Sequence, residues 1–190
     1  NDSILKCSRN FASFLPRALY SGLMYGVKVY DEKKVKECFL KFIENIDETE
    51  LAKLTKSFYD ERLSTILYKD AVNMIKKLKN EGYMVVLISA SPEFYVKEFY
   101  AIEEVDLIIG TKFTFEGGKF IRKMSGNNCK GEEKVRRLNE VLKEKNIKVD
   151  FKNSYMFSDS LSDKPLLDLV GNPYLINYKK KHEIEILRWK

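Results

Sequence analysis

Tyr155-Met156-Phe157-Ser158-Asp159-Ser160-Leu161-Ser162-Asp163 is a short apolar run that ends in a small residue and an aspartate, with a second aspartate four positions on. If a buried strand ends at Ser158 and a helix starts near Ser162, both carboxylates sit at the strand's C-terminal edge. In an open α/β sheet that edge is where ligands bind. Two hard carboxylate oxygens on a loop suit Mg²⁺, which takes one or two carboxylates together with waters and substrate phosphate oxygens. The plainer reading makes Asp159 part of a solvated turn and Asp163 a helix cap.

Working outward, the second half of the chain alternates strands and helices. Residues 68 to 80 form an amphipathic helix with Val72, Ile75 and Leu78 facing inward, and Glu81-Gly82 ends it. Met84-Val85-Val86-Leu87-Ile88 is an all-apolar strand, the pattern of a parallel strand buried on both faces. Pro92 opens a helix to about residue 102, and Val105-Asp106-Leu107-Ile108-Ile109 is a second strand. Residues 112 to 115 and 119 to 121, joined by Glu116-Gly117-Gly118, read as a hairpin. Residues 131 to 145 form a helix, 155 to 157 a buried strand, 162 to 170 a helix and 173 to 176 a last strand. A charged C-terminal helix carries His182. This order predicts an α/β fold with a Rossmann-like parallel sheet.

The first third is a helical module instead. Residues 3 to about 20 have helical spacing, and Pro16 kinks or ends that helix. Asp31 caps a second helix to about residue 45, and Asp47 or Thr49 starts a third with Leu51, Leu54, Phe58 and Leu63 on one face. The expected division is a helical domain over 1–66 and an α/β core over 67–190.

Composition narrows the chemistry. Of 190 residues, 44% are hydrophobic, enough for a core, and the net charge is +6. The 34 Lys and Arg are spread among 28 Asp and Glu rather than gathered into a stripe, which argues against nucleic-acid binding. Cys7, Cys38 and Cys129 are far apart, with no CxxC pair, so neither a zinc site nor a disulfide framework is expected. Their spacing fits a reducing compartment, and a cytoplasmic location is expected. His182 is the only histidine, which argues against Ser-His or Cys-His catalysis. No apolar run approaches the roughly 20 residues of a membrane span.

Two further stretches aim chemistry at the same sheet edge. Ser89-Ala90-Ser91 ends the strand that starts at Met84, just before a helix N-terminus. A hydroxyl there, with the free N–H groups, is placed to hold a phosphate oxygen; Ser91 also serves as a cap. Lys130 and Lys134 are one helical turn apart and can share a face, and either can neutralise phosphate.

Serine after one strand, lysine at a helix start and Ser-Asp-x-x-x-Asp after another strand, in that order, resemble the haloacid dehalogenase superfamily, in particular its phosphoserine-phosphatase-like branch. The resemblance spans nearly the whole chain. It implies an Mg²⁺-dependent phosphatase acting on a small phosphorylated metabolite through an aspartyl-phosphate. Ser89, with Ala90 and Ser91, would hold phosphate. Lys134 or Lys130 would be the active-site lysine, with a lean to Lys134. Asp159 and Asp163 would hold the metal, and the helical module would be the cap. The family's first motif, a strand ending in Asp-x-Asp-x-Thr, has no match here. The nucleophile is expected just upstream of Asn1, on a strand central to the sheet. The alternatives are a degenerate binding or regulatory protein of the same fold, or a phosphotransferase or mutase. The oligomeric state is left open.

Overall fold

The computed structural model describes residues 31–190. The first predicted helix, its Pro16, Cys7 and the possible cap side chains Arg9, Arg17, Tyr20, Tyr25 and Lys28 lie outside the described residues.

Asp31 caps α1 (Glu32–Phe39), its carboxylate accepting from Lys34 N at 2.7 Å. The chain then tightens into a 3-10 turn over Leu40–Ile43, so the expected α-helix stops short of residue 45, and Asn45 takes a left-handed φ of 65°. Helix α2 (Glu48–Phe58) buries Leu51 but leaves Phe58 exposed, and Leu63 is buried in the π turn that follows. Helix α3 (Lys69–Asn80) leads into β1 (Val86–Pro92). Pro92 is thus the last residue of the strand, before the short α4 (Glu93–Val96) and a 3-10 turn over Lys97–Ala101. Strand β2 (Leu107–Thr111) returns parallel to β1, pairing Val86 with Leu107 and Ile88 with Ile109. Gly110 lets the start of α4 sit against β2: a Cβ there would lie 2.6 Å from Glu93 Cα.

Strands β3 (Phe113–Glu116) and β4 (Lys119–Met124) form the expected hairpin, with Gly117 and Gly118 at φ 57° and 75° in its turn. The hairpin shares its core with the helical module rather than with the parallel sheet. Phe113, Phe120 and Met124 cluster with Ile43 and Leu51, and Phe120 exchanges backbone hydrogen bonds with Asn45 and Ile46 at 2.9 Å each.

Helix α5 (Glu132–Glu144) precedes β5 (Tyr155–Ser158), which runs parallel to β6 (Asn172–Ile176). Between them the expected helix over 162 to 170 is only a 3-10 turn at Leu161–Asp163 and the four-residue α6 (Lys164–Leu167). The C-terminal helix expected to carry His182 does not form. That segment is extended and adds β7 (Glu185–Leu187), parallel to β6. Ile184 and Ile186 alternate with charges, a strand period that the surrounding lysines mask.

The parallel sheet is therefore in two pieces, β1–β2 and β5–β6–β7. Among the described residues, neither β1 nor β5 has a strand partner on the side facing the other. Between these edges lies an apolar cavity of about 330 Å³, walled by Val86, Ile88 and Met156. Leu78 of α3 and Leu142 of α5 also line it. Tyr83 meets Tyr155 edge-on at 5.3 Å, beside the start of β5.

Candidate active site

Every expected site residue comes from a loop or element end at the C-terminal edge of the parallel strands. Lys134 lies in the first turn of α5 and is buried. Its Nζ is 2.7 Å from Asp163 Oδ1, with the two side chains only 7% and 11% exposed. The second oxygen of Asp163 accepts from Ser158 Oγ at 2.9 Å. One lysine, one aspartate and the serine that ends β5 thus form a closed chain of charge-assisted bonds. Both Asp163 oxygens are engaged, so in this arrangement it orients Lys134. Asp159, immediately after β5, is exposed.

Lys130 is placed differently. Gly131, at φ 56° and ψ −130°, precedes the first helical residue, so the expected helical turn shared by Lys130 and Lys134 does not exist. Lys130 reaches out to Glu32 at 3.0 and 3.1 Å, with its side chain 40% exposed.

Ser89 Oγ accepts from Ser91 N at 3.1 Å, which leaves its own O–H to donate elsewhere. The carbonyl of Ala90 accepts from Lys36 Nζ and from Thr111 Oγ1, both at 2.7 Å. Lys36 also donates to Asn128 Oδ1 at 2.6 Å, while Asn128 Nδ2 is buried without a hydrogen-bond partner. Lys36, Thr111 and Asn128 carry no sequence signal of their own; only the fold brings them to the strand edge.

The start of α5 is anchored by Arg137, which is buried and donates to Gly110 O and Asn127 O at 2.7 Å each. Its Nε bonds Glu133 at 3.0 Å. Hydrogen bonds from Arg136, then Arg137 and Asn127, hold the Glu133 carboxyl down at about 2 against the opposing effect of burial. A carboxyl lowered in the folded state stabilises the fold above its ordinary pKa. That contribution is lost as pH falls from about 4.5 through about 2. Glu133→Gln should therefore flatten the fall of thermal midpoint with pH in that window. An unchanged slope would remove Glu133 from the acid response. Nearby Cys129 is fully buried, and burial pushes its thiol pKa up, the wrong direction for a nucleophile.

Among the described residues no three His, Cys, Asp or Glu side chains cluster to hold a metal. A site for Mg²⁺ needs fewer: one or two carboxylates, completed by water and substrate oxygens. Asp159, exposed beside this edge, fits that partial donor set. Also among the described residues, no helix is long and apolar enough to cross a membrane.

Residues 3–168 match the family described as haloacid dehalogenase-like hydrolase. The chain belongs to that family. Protein CicA of Caulobacter vibrioides is 29% identical over 102 residues, which cover 53% of this chain and 46% of that protein. The chain thus matches about half the length of that relative. The histidinol-phosphatase of Neisseria meningitidis serogroup C is 27% identical over 147 residues, covering 74% of this chain and 66% of that one. Among solved structures, a probable phosphoserine phosphatase from Vibrio cholerae has a TM-score of 0.68 at 12% identity. That match covers 92% of this chain and 52% of the other and bears on fold alone. The α/β, Rossmann-like core expected of the haloacid dehalogenase family is the one observed.

Proposed function

We propose that this haloacid dehalogenase family member, in its full-length form, is a Mg²⁺-dependent phosphatase. Its substrate is a small phosphorylated metabolite. The observation that carries the reading is the buried Lys134–Asp163 pair at the strand edge that also presents Ser89 and Asp159. A desolvated lysine held at a fixed point serves to stabilise charge on a transferring phosphoryl group. The names of the phosphatase relatives support the same class of reaction.

In this mechanism an aspartate upstream of Asn1 attacks phosphorus through one carboxylate oxygen. The bond to the leaving oxygen breaks as that oxygen takes the proton of the second aspartate of the same upstream motif, and water, giving a proton back to that carboxylate, then cleaves the aspartyl-phosphate to release inorganic phosphate. Ser89 O–H and the Lys134 ammonium bind the equatorial oxygens as their charge develops. Asp163 keeps the lysine aimed. Asp159 would hold Mg²⁺, whose contribution when bound is to offset the repulsion between carboxylate and phosphate. The described part of the helical module, residues 31–66, together with the β3–β4 hairpin, would form the cap that shields the site from water.

Asp159→Asn tests the metal assignment in the full-length protein. It should weaken Mg²⁺ binding in calorimetry and cut turnover strongly, since the ion loses a charged ligand. Unchanged affinity and turnover would remove Asp159 from the site.

A further inference from the structure

We propose that Lys36, on α1, is a positioning residue that sets the Ser89 hydroxyl to receive a phosphate oxygen. The kinetic consequence rests on the phosphatase reading; the structural claim does not.

Lys36 reaches across 54 positions of sequence to place its ammonium on the carbonyl of Ala90, the residue between the two serines of the strand end. Thr111 bonds the same carbonyl from the other strand. The Thr111 oxygen also accepts from Cys129 N at 3.1 Å, and its single hydrogen has two acceptors in reach, Ala90 O at 2.7 Å and Asn128 Oδ1 at 3.1 Å, of which the carbonyl is the nearer. Two donors on one carbonyl occupy both lone pairs and fix the plane of the peptide that joins Ala90 to Ser91. That peptide is planar and trans, so its N–H points opposite to the fixed carbonyl. This N–H is the one that donates to Ser89 Oγ. Once the oxygen is occupied as an acceptor, the Ser89 hydrogen is the group left to meet an anion. A cation on the carbonyl also polarises the amide, which strengthens the next bond in the chain.

A surface tether would not need this arrangement. Lys36 is half-buried and its two hydrogen-bond acceptors are neutral, a costly setting for an ammonium. Burial lowers its pKa. Glu32 on its own helix opposes that shift, Lys130 reinforces it, Cys129 opposes it and Lys134 reinforces it least. Because α1 belongs to the helical module, the contact also makes the Ser89 hydroxyl responsive to how closely that module sits on the strand edge.

The test uses the full-length protein with Lys36→Met, Ser89→Ala and the double variant. In Lys36→Met the Ser91 amide proton should move upfield in NMR spectra and exchange with solvent about tenfold faster. Affinity for inorganic phosphate, measured by calorimetry, should fall about tenfold, the range of one hydrogen bond to a charged group. In the Ser89→Ala background Lys36→Met should cost no further affinity. An unchanged Ser91 amide in Lys36→Met, or phosphate losses that multiply in the double variant, would overturn the proposal. If Lys36→Met does not fold, Thr111→Val removes the other donor to the same carbonyl. The Ser91 amide proton should then again move upfield, and an unmoved signal would overturn the proposal. A wild-type protein that hydrolyses no phosphomonoester would end the phosphatase reading, while the Ser91 amide would still decide the role of Lys36.

Discussion

Lys134→Ala is expected to lower kcat by ~10²-fold or more, the scale of losing one fixed contact to transition-state charge. It should also destabilise the fold by ~3–5 kcal/mol, because Asp163 would be left buried and charged without its partner. The two effects separate in the double variant Lys134→Ala with Asp163→Asn. Removing both charges returns much of the stability, since an amide oxygen can still accept from Ser158 Oγ. Turnover should stay low, since the lysine's charge no longer faces the phosphoryl group. Lys130→Ala is the control: its exposed pairing with Glu32 is worth ~0–1 kcal/mol, and kcat should move little. Recovery of turnover in the double variant would reduce Lys134 to a structural role. A larger kcat loss from Lys130→Ala would transfer the phosphate contact to that lysine.

The serines and Asp159 are legible in the sequence because they sit at the ends of all-apolar runs. Val86 to Ile88 and Tyr155 to Phe157 are too short and too uniformly apolar for surface helices, and their ends point at Ser89 and Ser158. Position along a parallel strand then does the rest, since the C-terminal edge gathers ligands. What stays hidden depends on contacts between distant residues. Lys36 reads as one of several solvated lysines on α1 until it meets Ala90 and Asn128, 54 and 92 positions away. The hairpin is legible as a hairpin, but its membership of the helical module's core depends on Phe120 meeting Ile43 and Leu51. The tail around His182 reads as a helix, wrongly, because charge density in Lys179-Lys180-Lys181 outweighs a two-residue alternation only three residues long.

A strand supplied upstream of Asn1 should have the largest effect of all. The cavity between β1 and β5 has the apolar faces of helices α3 and α5 on its walls and two strand edges whose facing N–H and C=O groups lack a strand partner among the described residues. An extended segment of about five residues, roughly 17 Å long, is a typical strand for such a place. Running parallel to its neighbours, it would deliver the residue after its last apolar position to the edge that holds Ser89, Lys134 and Asp159. The 190-residue chain alone is therefore expected to show no metal-dependent phosphomonoesterase activity. It should also tend to associate through the open edges, where Tyr155 is already 37% exposed. Adding before Asn1 a segment of roughly 10–15 residues, about one apolar strand and a loop, that ends in Asp-x-Asp-x-Thr should raise the thermal midpoint and switch on turnover. An upstream segment lacking Asp-x-Asp-x-Thr but still apolar should raise the midpoint and leave turnover absent, which separates sheet completion from supply of the nucleophile. Robust metal-dependent turnover by the 190 residues alone would mean that the nucleophile lies among them, and the upstream aspartate would have to be abandoned.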